Sequence, residues 1–372
     1  MKKYEFTGET KILNNGVILH RIKALVKIVF DSVTINVGDL GGWIEKEGNL
    51  SHEGDAWVYG DAQVYGNALV CDNAQVYGDA RVYENARVHG NALISGDAQV
   101  DGDAQVYGDT WVYGNAKVYK NARVYGDTFV YGTARVYGDV RVYGYAQVYD
   151  DAQVYGNARV CDDARVYGYA QVYDDAQVYG NAKVYRNTQV YGTARVYDDA
   201  WVCDNAQVYD DAQVYGNAWV CDNAQVYDDA RVYGNTKVYR NTQVYGTARV
   251  YDDAQVYGDA RVCDDARVYG DAQVYGNARV CGDARVCGDA HVYKCNHYLV
   301  IGPIGSRMNY TTFLRNKEGI IKVVCGCFYG TINEFLAKVD QTHGNSKHMF
   351  SYRAASELAR VQIDTSEIDD SK

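Results

Sequence analysis

From Asp55 to Tyr293, apolar and polar positions recur every six residues with no insertion. Val fills one slot from Val58 to Val292, with Ile94 as the single replacement. Ala fills the slot two residues earlier, from Ala56 to Ala290, except at Thr110, Thr128, Val140, Thr188, Thr236 and Thr242. Residues at i and i+2 share one face of a strand, so each hexad predicts a short strand with a Val/Ala inner face. The residue between them, x, is usually Gln, Arg, Lys or Trp. It points outward, as does the Tyr that follows Val.

The remaining two positions predict a corner. The first is usually Gly or Asp and the second Asp or Asn. Long charged residues enter the first position only where Asn follows: Glu84-Asn85, Lys120-Asn121, Arg186-Asn187 and Arg240-Asn241. Where the second is Thr or Tyr, as at Gly132-Thr133 and Gly168-Tyr169, the first is Gly. One residue of each corner must therefore tolerate positive φ, and Gly, Asn and Asp do so at low cost.

Strand and corner alternating at a short fixed period predict a solenoid. The inner residues are too small to meet a second layer, so the strand coils about its own axis. Three hexads per turn give a triangular, single-stranded parallel β-helix of 18 residues per coil, with about 13 coils in all. The hexad resembles that of the hexapeptide-repeat family, with an aliphatic residue at i and a small one at i+4 (Val58 and Ala62). The resemblance implies a left-handed coil. The stretch Gly41-Gly42-Trp43-Ile44 through Gly54-Asp55-Ala56-Trp57-Val58-Tyr59 resembles the N-terminal part of the enterobacterial YdcK-like proteins, which carry a β-helix and are labelled transferases.

The expected fold is all-β, with four regions: a small β-rich N-terminal cap over residues 1–50, the β-helix over 51–293, an α+β C-terminal cap over 294–363 and a polar tail over 364–372. Open solenoid ends invite edge-to-edge growth, and both caps would cover them. In the N-terminal cap Tyr4–Leu13 and Val17–Phe30 read as β-like runs. In the C-terminal cap Tyr298–Ile301, Tyr310–Arg315 and Ile320–Phe328 read as strands, with a turn at Gly302-Pro303-Ile304-Gly305. Thr331–Thr342 and Ser346–Val361 read as helices. This cap looks like a module found behind such repeats in bacterial and prophage proteins.

Charge narrows the partners. The net charge is −11, divided as +1 over residues 1–50, −14 over the repeat and +2 over residues 294–372. An acidic body lacks the phosphate-neutralising groups that dominate nucleic-acid binding, so no nucleic acid is expected. No apolar run is long enough for a membrane span, so no membrane is expected either. The start, Met1-Lys2-Lys3-Tyr4-Glu5-Phe6, lacks the apolar stretch of a secretion signal. That points to the cytoplasm, or to a virion if the protein is phage-encoded, with the ten cysteines as free thiols.

Cys71, Cys161, Cys203, Cys221, Cys263, Cys281 and Cys287 all fall in the outward Tyr slot. Cys203/Cys221 and Cys263/Cys281 lie one coil apart, a spacing poorly arranged for an unstrained disulfide, so they read as replacements of Tyr. The tyrosines themselves predict outward ladders that pack across strands. In the C-terminal cap Cys325 and Cys327 flank Gly326 on an expected strand and would share a face, with His343 and His348 downstream. These four form a weak zinc candidate whose spacing matches no common finger. Packed thiols and surface histidines are the favoured reading. Asp-Asp corners such as Asp150-Asp151 offer at most weak calcium attraction, and no cofactor is expected.

Sorting the x slot by 18-residue register assigns each residue to a wall. The large apolar occupants Trp57, Leu93, Trp111, Phe129, Trp201 and Trp219 share one wall, and Leu69 alone falls elsewhere. A line of outward aromatic residues marks a binding surface. Internal copying competes with that reading, because Trp201 and Trp219 sit in near-identical 18-residue copies. The leading expectation is a non-enzymatic structural or interaction solenoid that self-associates, or binds another protein or a carbohydrate, through this aromatic face. An acyltransferase is the alternative that the hexapeptide-repeat resemblance implies, as is the trimeric homo-oligomer common among enzymes of that family. Such enzymes use a His base, and the repeat holds only His89 and His291, both expected to face solvent. A phage-related virion or host-interaction component is the third reading.

Overall fold

The computed structural model describes residues 1–30 and 33–366. Contacts divide the chain into two compact units, Met1–Thr193 and Ala194–Lys372.

The first unit opens with antiparallel strands, Tyr4–Ile12 paired to Ile18–Ala24, which pairs in turn to Leu40–Ile44. The expected run Val17–Phe30 is broken, because a separate small hairpin pairs Ile28–Val29 with Thr34–Ile35. Leu40–Ile44 then pairs in parallel with the first coil, Trp43 opposite Gln63 and Ile44 opposite Val64. This close approach explains Gly41-Gly42. A Cβ on Gly41 would lie 2.8 Å from the Trp57 ring, and one on Gly42 would lie 2.8 Å from the Ala62 carbonyl oxygen.

Beyond this cap each hexad supplies a two- or three-residue strand paired in parallel with the hexad 18 residues away, as in Arg81 opposite Gln99 and Val82 opposite Val100. The inner Val and Ala side chains are fully buried. The fold is thus a parallel β-solenoid with three hexads per coil. The Thr exceptions in the Ala slot are buried too, and their hydroxyls donate to the carbonyl three residues back, Thr110 to Tyr107 at 2.8 Å and Thr128 to Tyr125 at 2.8 Å. A buried hydroxyl is tolerated when it is paired.

The corners differ from expectation. The first position takes positive φ whatever its side chain: Glu84 (59°), Lys120 (60°), Arg186 (61°) and Arg240 (64°) adopt it themselves. Such a residue costs about 1 kcal/mol or more. For the three basic residues ring contacts offset part of it, with the Lys120 ammonium 5.2 Å from the Tyr137 ring, the Arg186 guanidinium 5.8 Å from the Tyr185 ring and the Arg240 guanidinium 5.9 Å from the Tyr239 ring. After Glu84 and Lys120 the second-position Asn serves a ladder instead, with Asn85 donating to Asp103 at 3.0 Å and Asn121 to Asp139 at 2.9 Å.

The second unit repeats the same coil, with Trp201 opposite Trp219 and Arg231 opposite Arg249. It ends in a four-stranded antiparallel sheet, Tyr298–Ile304, Asn309–Arg315, Ile321–Cys325 and Phe328–Thr331, covered by helices α1 (Ile332–His343) and α2 (Lys347–Gln362). Two expectations shift here. The first strand runs through Gly302-Pro303 to Ile304, and the chain turns between Gly305 and Met308. The expected strand Ile320–Phe328 is a hairpin that folds back at Gly326-Cys327, where Gly326 takes a φ of 61°. Phe313, Val323, Phe335, Val339 and Tyr352 form its core. Thr331 caps α1: its hydroxyl accepts from the Glu334 N–H while its own N–H donates to the Glu334 carboxylate at 2.7 Å.

This sheet covers the last coil. The Arg285 N–H donates to Thr312 Oγ1 at 3.0 Å and Asn316 Nδ2 donates to Asp289 at 2.8 Å, while the Tyr329 hydroxyl also donates to the Asp289 carboxylate. Burial works to raise the Asp289 carboxyl, but the hydrogen bonds from Tyr329 and Asn316 outweigh it and hold the group below its ordinary range. Of the polar tail expected over 364–372, residues 367–372 lie outside the described residues. Its start is tied down: the Asp364 N–H donates to the Asn296 carbonyl at 3.0 Å, and the Arg315 guanidinium donates to the Ser366 carbonyl at 2.6 Å.

Candidate functional site

The 18-residue register places Trp57, Gln75, Leu93, Trp111 and Phe129 side by side along one wall of the first unit. Three of the expected binding residues stand together there: Leu93 and Phe129 are half-buried, and Trp111 is 46% exposed. The Trp111 and Phe129 rings are 5.8 Å apart and tilted by 55°. In the second unit Trp201 and Trp219 stack at 5.1 Å, with Trp219 46% exposed.

Trp57 departs from expectation. It is completely buried and presents nothing to a partner. The N-terminal cap covers it: the Tyr4 ring meets it edge-on at 6.4 Å, and Gly41 lies against its ring. Tyr4 is itself fixed by hydrogen bonds from its hydroxyl to the Glu47 and Leu50 carbonyls at 2.9 and 3.0 Å. Buried Lys3 donates to the Ala56 carbonyl at 2.7 Å, and burial pushes its amine down to about 8. Trp57 is a core residue of the capped first coil.

Next to this covered tryptophan the wall carries a groove of about 790 Å³. Its wall residues are Gln75, Leu93 and Trp111, and Val29, Phe30 and Val33 join them from beside the paired strands Ile28–Val29 and Thr34–Ile35. One rim is the corner column Asp55, Asn73, Asn91 and Asp109; the other is Tyr59 and Tyr77. The first rim is internally ordered, Asn73 Nδ2 donating to Asn91 Oδ1 at 3.1 Å and Asn91 Nδ2 to Asp109 Oδ1 at 2.8 Å. On the other rim the tyrosine rings stack at 5.1 Å, and the Tyr59 hydroxyl donates to Gln75 Oε1 at 3.1 Å. Burial, reinforced by Tyr77, pushes the Tyr59 phenol up to about 12, so it is a neutral donor. The sequence reading missed both rims and the hairpin. Sorting the corner positions by the same register, as was done for the x slot, collects Asp55, Asn73, Asn91 and Asp109 in one column.

The sequence pattern of the YdcK β-solenoid repeat matches this chain over residues 74–90, 134–150, 152–162, 158–174, 176–192, 206–222, 224–240, 254–270, 260–276 and 272–288. The chain carries YdcK β-solenoid repeats. No curated protein sequence matches it. Among solved structures, the Arabidopsis UDP-N-acetylglucosamine acyltransferase is similar over 73% of this chain and 94% of that chain, at 11% identity and a TM-score of 0.28. At that score the likeness carries no argument about function.

The outward Tyr slot of the YdcK repeat builds columns of stacked rings. Tyr113, Tyr131, Tyr149, Tyr167 and Tyr185 follow one another at 4.7–4.9 Å with nearly parallel planes. Cysteines enter these columns differently from expectation. Cys203–Cys221 and Cys263–Cys281 are disulfides, with Cα separations of 4.7 and 4.6 Å. Parallel in-register pairing brings the two Cα atoms within the range a disulfide spans, which the separation in sequence conceals. Nor is the slot freely exposed: Cys161, Cys203, Cys221, Cys263 and Cys287 are buried.

Among the remaining candidates Cys325, Cys327 and His343 line one cavity of about 530 Å³, while His89 and His291 lie elsewhere. His89 stacks on Tyr107 at 4.8 Å and lies 3.7 Å from Asp72, and His291 meets Tyr275 edge-on. Both are half-buried where solvent exposure was expected, and neither lines the groove. Cys325, Cys327, His343 and His348 form no ligand cluster. Cys325 ends a strand and Cys327 lies in the turn after it, and both still line that cavity with His343. Cys325 Sγ accepts instead from the Thr311 hydroxyl at 3.4 Å, while the His343 and His348 rings lie 5.9 Å apart. Among the described residues, the sets of three potential ligands within 4.8 Å of one another are Cys203-Asp204-Cys221 and Cys263-Asp264-Cys281, and their sulfurs are committed to disulfides. No helix among the described residues is long and apolar enough to cross a membrane.

Proposed function

We propose that this β-solenoid protein is a non-enzymatic recognition scaffold whose partner docks along the wall of Leu93, Trp111 and Phe129. The observation that carries this reading is the exposure of Trp111, in register between two other apolar side chains and at the mouth of a rimmed groove. The solenoid supplies rigidity, since each coil is locked to the next by backbone bonds such as Trp111 N–H to the Thr128 carbonyl at 2.9 Å. A rigid surface loses little conformational freedom on binding.

The test compares wild type with the double variant Trp111→Ala/Phe129→Ala, by sedimentation velocity for self-association and by retention on immobilised polymers for other ligands. A change in either, with the melting temperature held within a few degrees, supports the wall as a docking surface. Identical behaviour in both contradicts it.

A further inference from the structure

We infer that the groove beside Trp111 binds a neutral oligosaccharide chain lying along the wall. This deepens the recognition-scaffold reading and rests on it.

The chemistry of the lining selects the ligand class. A sugar ring presents apolar C–H faces and a rim of hydroxyls that donate and accept. The groove has the matching arrangement. Leu93 and the exposed Trp111 give an apolar platform, and polar groups stand on both sides of it. On one side Asn91 spends one amide N–H on Asp109 and Asp109 spends one carboxylate oxygen on Asn91, which leaves the second N–H and the second oxygen for ligand hydroxyls. On the other side Tyr77 adds a phenol that can donate or accept. A groove of about 790 Å³ whose lining mixes polar and apolar groups about evenly suits a ligand that is itself part apolar and part hydroxyl.

Other ligands fit less well. Among the described residues the charged groups of the lining are Asp55 and Asp109, with no Lys or Arg, so they repel anions such as uronates or phosphates. An extended peptide adding as a strand needs free backbone groups, but the wall has spent its own on neighbouring coils: Leu93 N–H donates to the Thr110 carbonyl at 2.8 Å and Trp111 N–H to the Thr128 carbonyl at 2.9 Å. A broad protein surface would have to clear Val29 and Phe30 of the hairpin. A polymer suits the site for a further reason. The rim repeats once per coil, at about 4.8 Å, and the apolar platform continues from Trp111 to Phe129.

Native affinity electrophoresis through gels containing dextran, hydroxyethylcellulose, galactomannan or alginate tests the inference, with sedimentation velocity run on the same proteins. The expected result is retardation by at least one neutral polysaccharide and none by alginate. Trp111→Ala should weaken that retardation at least tenfold and Asn91→Ala severalfold, while Arg141→Ala, on another wall, leaves it unchanged. Asn91→Ala carries the test alone if Trp111→Ala fails to fold. Retardation by none of the neutral gels, by alginate alone, or to the same extent in both groove variants overturns the inference. If no neutral gel retards the protein but Trp111→Ala alters its sedimentation, the glycan assignment fails and the docking wall stands. If neither responds, both fail.

Discussion

Cys203 and Cys221, one coil apart in a slot otherwise filled by tyrosine, are joined by a disulfide across a Cα separation of 4.7 Å. Cys263 and Cys281 repeat the arrangement in another column. Each bridge replaces two rings of a stack with a covalent tie between adjacent coils.

Thiol chemistry follows from this pairing. Cys71, Cys161, Cys287, Cys295, Cys325 and Cys327 are free, so denatured, unreduced protein should titrate six thiols and reduced protein all ten. In the folded protein Cys295 and Cys327 are exposed and should alkylate first. Cys161 and Cys287 should alkylate last, because burial raises both thiols above their ordinary range and the thiolate is the nucleophile. Closing an 18-residue loop contributes about 3 kcal/mol in the chain-entropy account, so Cys203→Ser/Cys221→Ser should melt several degrees lower. Ten titratable thiols without reductant would contradict the pairing.

The seal between the N-terminal cap and the first coil depends on two missing side chains. Gly41→Ala should force the Trp57 ring, Ile22 or the Val58 carbonyl aside, since its Cβ would lie 2.5–2.8 Å from each. The cost should be about 1–3 kcal/mol of overpacking. Trp57 emission, blue-shifted while buried, should then move to the red; Trp111→Ala and Trp219→Ala in the background remove the two exposed contributions.

Acid should loosen the end of the second unit. His297 is buried and accepts from the Tyr293 N–H at 3.2 Å. Burial first, then the nearby Arg315 and Lys294 charges, push its imidazole down to about 4, against the opposing pull of Asp364. The unfolded chain therefore takes up a proton near the ordinary value of 6.5, before the folded protein does. Stability from this residue is full above pH 6.5 and is lost as the pH falls from there towards 4. Thermal melts between pH 7 and pH 4 should show a smaller decline for His297→Gln than for wild type. Equal declines would contradict the assignment.

The repeat was legible because Val and Ala at i and i+2 admit one geometry, and because three hexads bring Val82 against Val100. The same register correctly joined Leu93, Trp111 and Phe129. It could not show Trp57 covered, because the cover comes from Tyr4 and Gly41, outside the repeat. Corner residues misled for a related reason. Composition names residues that tolerate positive φ, yet Lys120 and Arg240 adopt it because the coil dictates the corner and a neighbouring ring receives each charge. At Cys325-Gly326-Cys327 a single glycine, at a φ of 61°, turns an expected strand into a hairpin.

The account stands on an advance of one coil per 18 residues, and paired cysteines measure that directly. Tyr131 and Tyr149 stack at 4.8 Å in the outward slot. Tyr131→Cys/Tyr149→Cys should form a disulfide under mild oxidation, detected by peptide mapping. Tyr131→Cys combined with Tyr137→Cys or Tyr143→Cys, at separations of six and twelve residues, should not. Bridging at either shorter separation, with none between positions 131 and 149, would contradict the coil and the wall built on it.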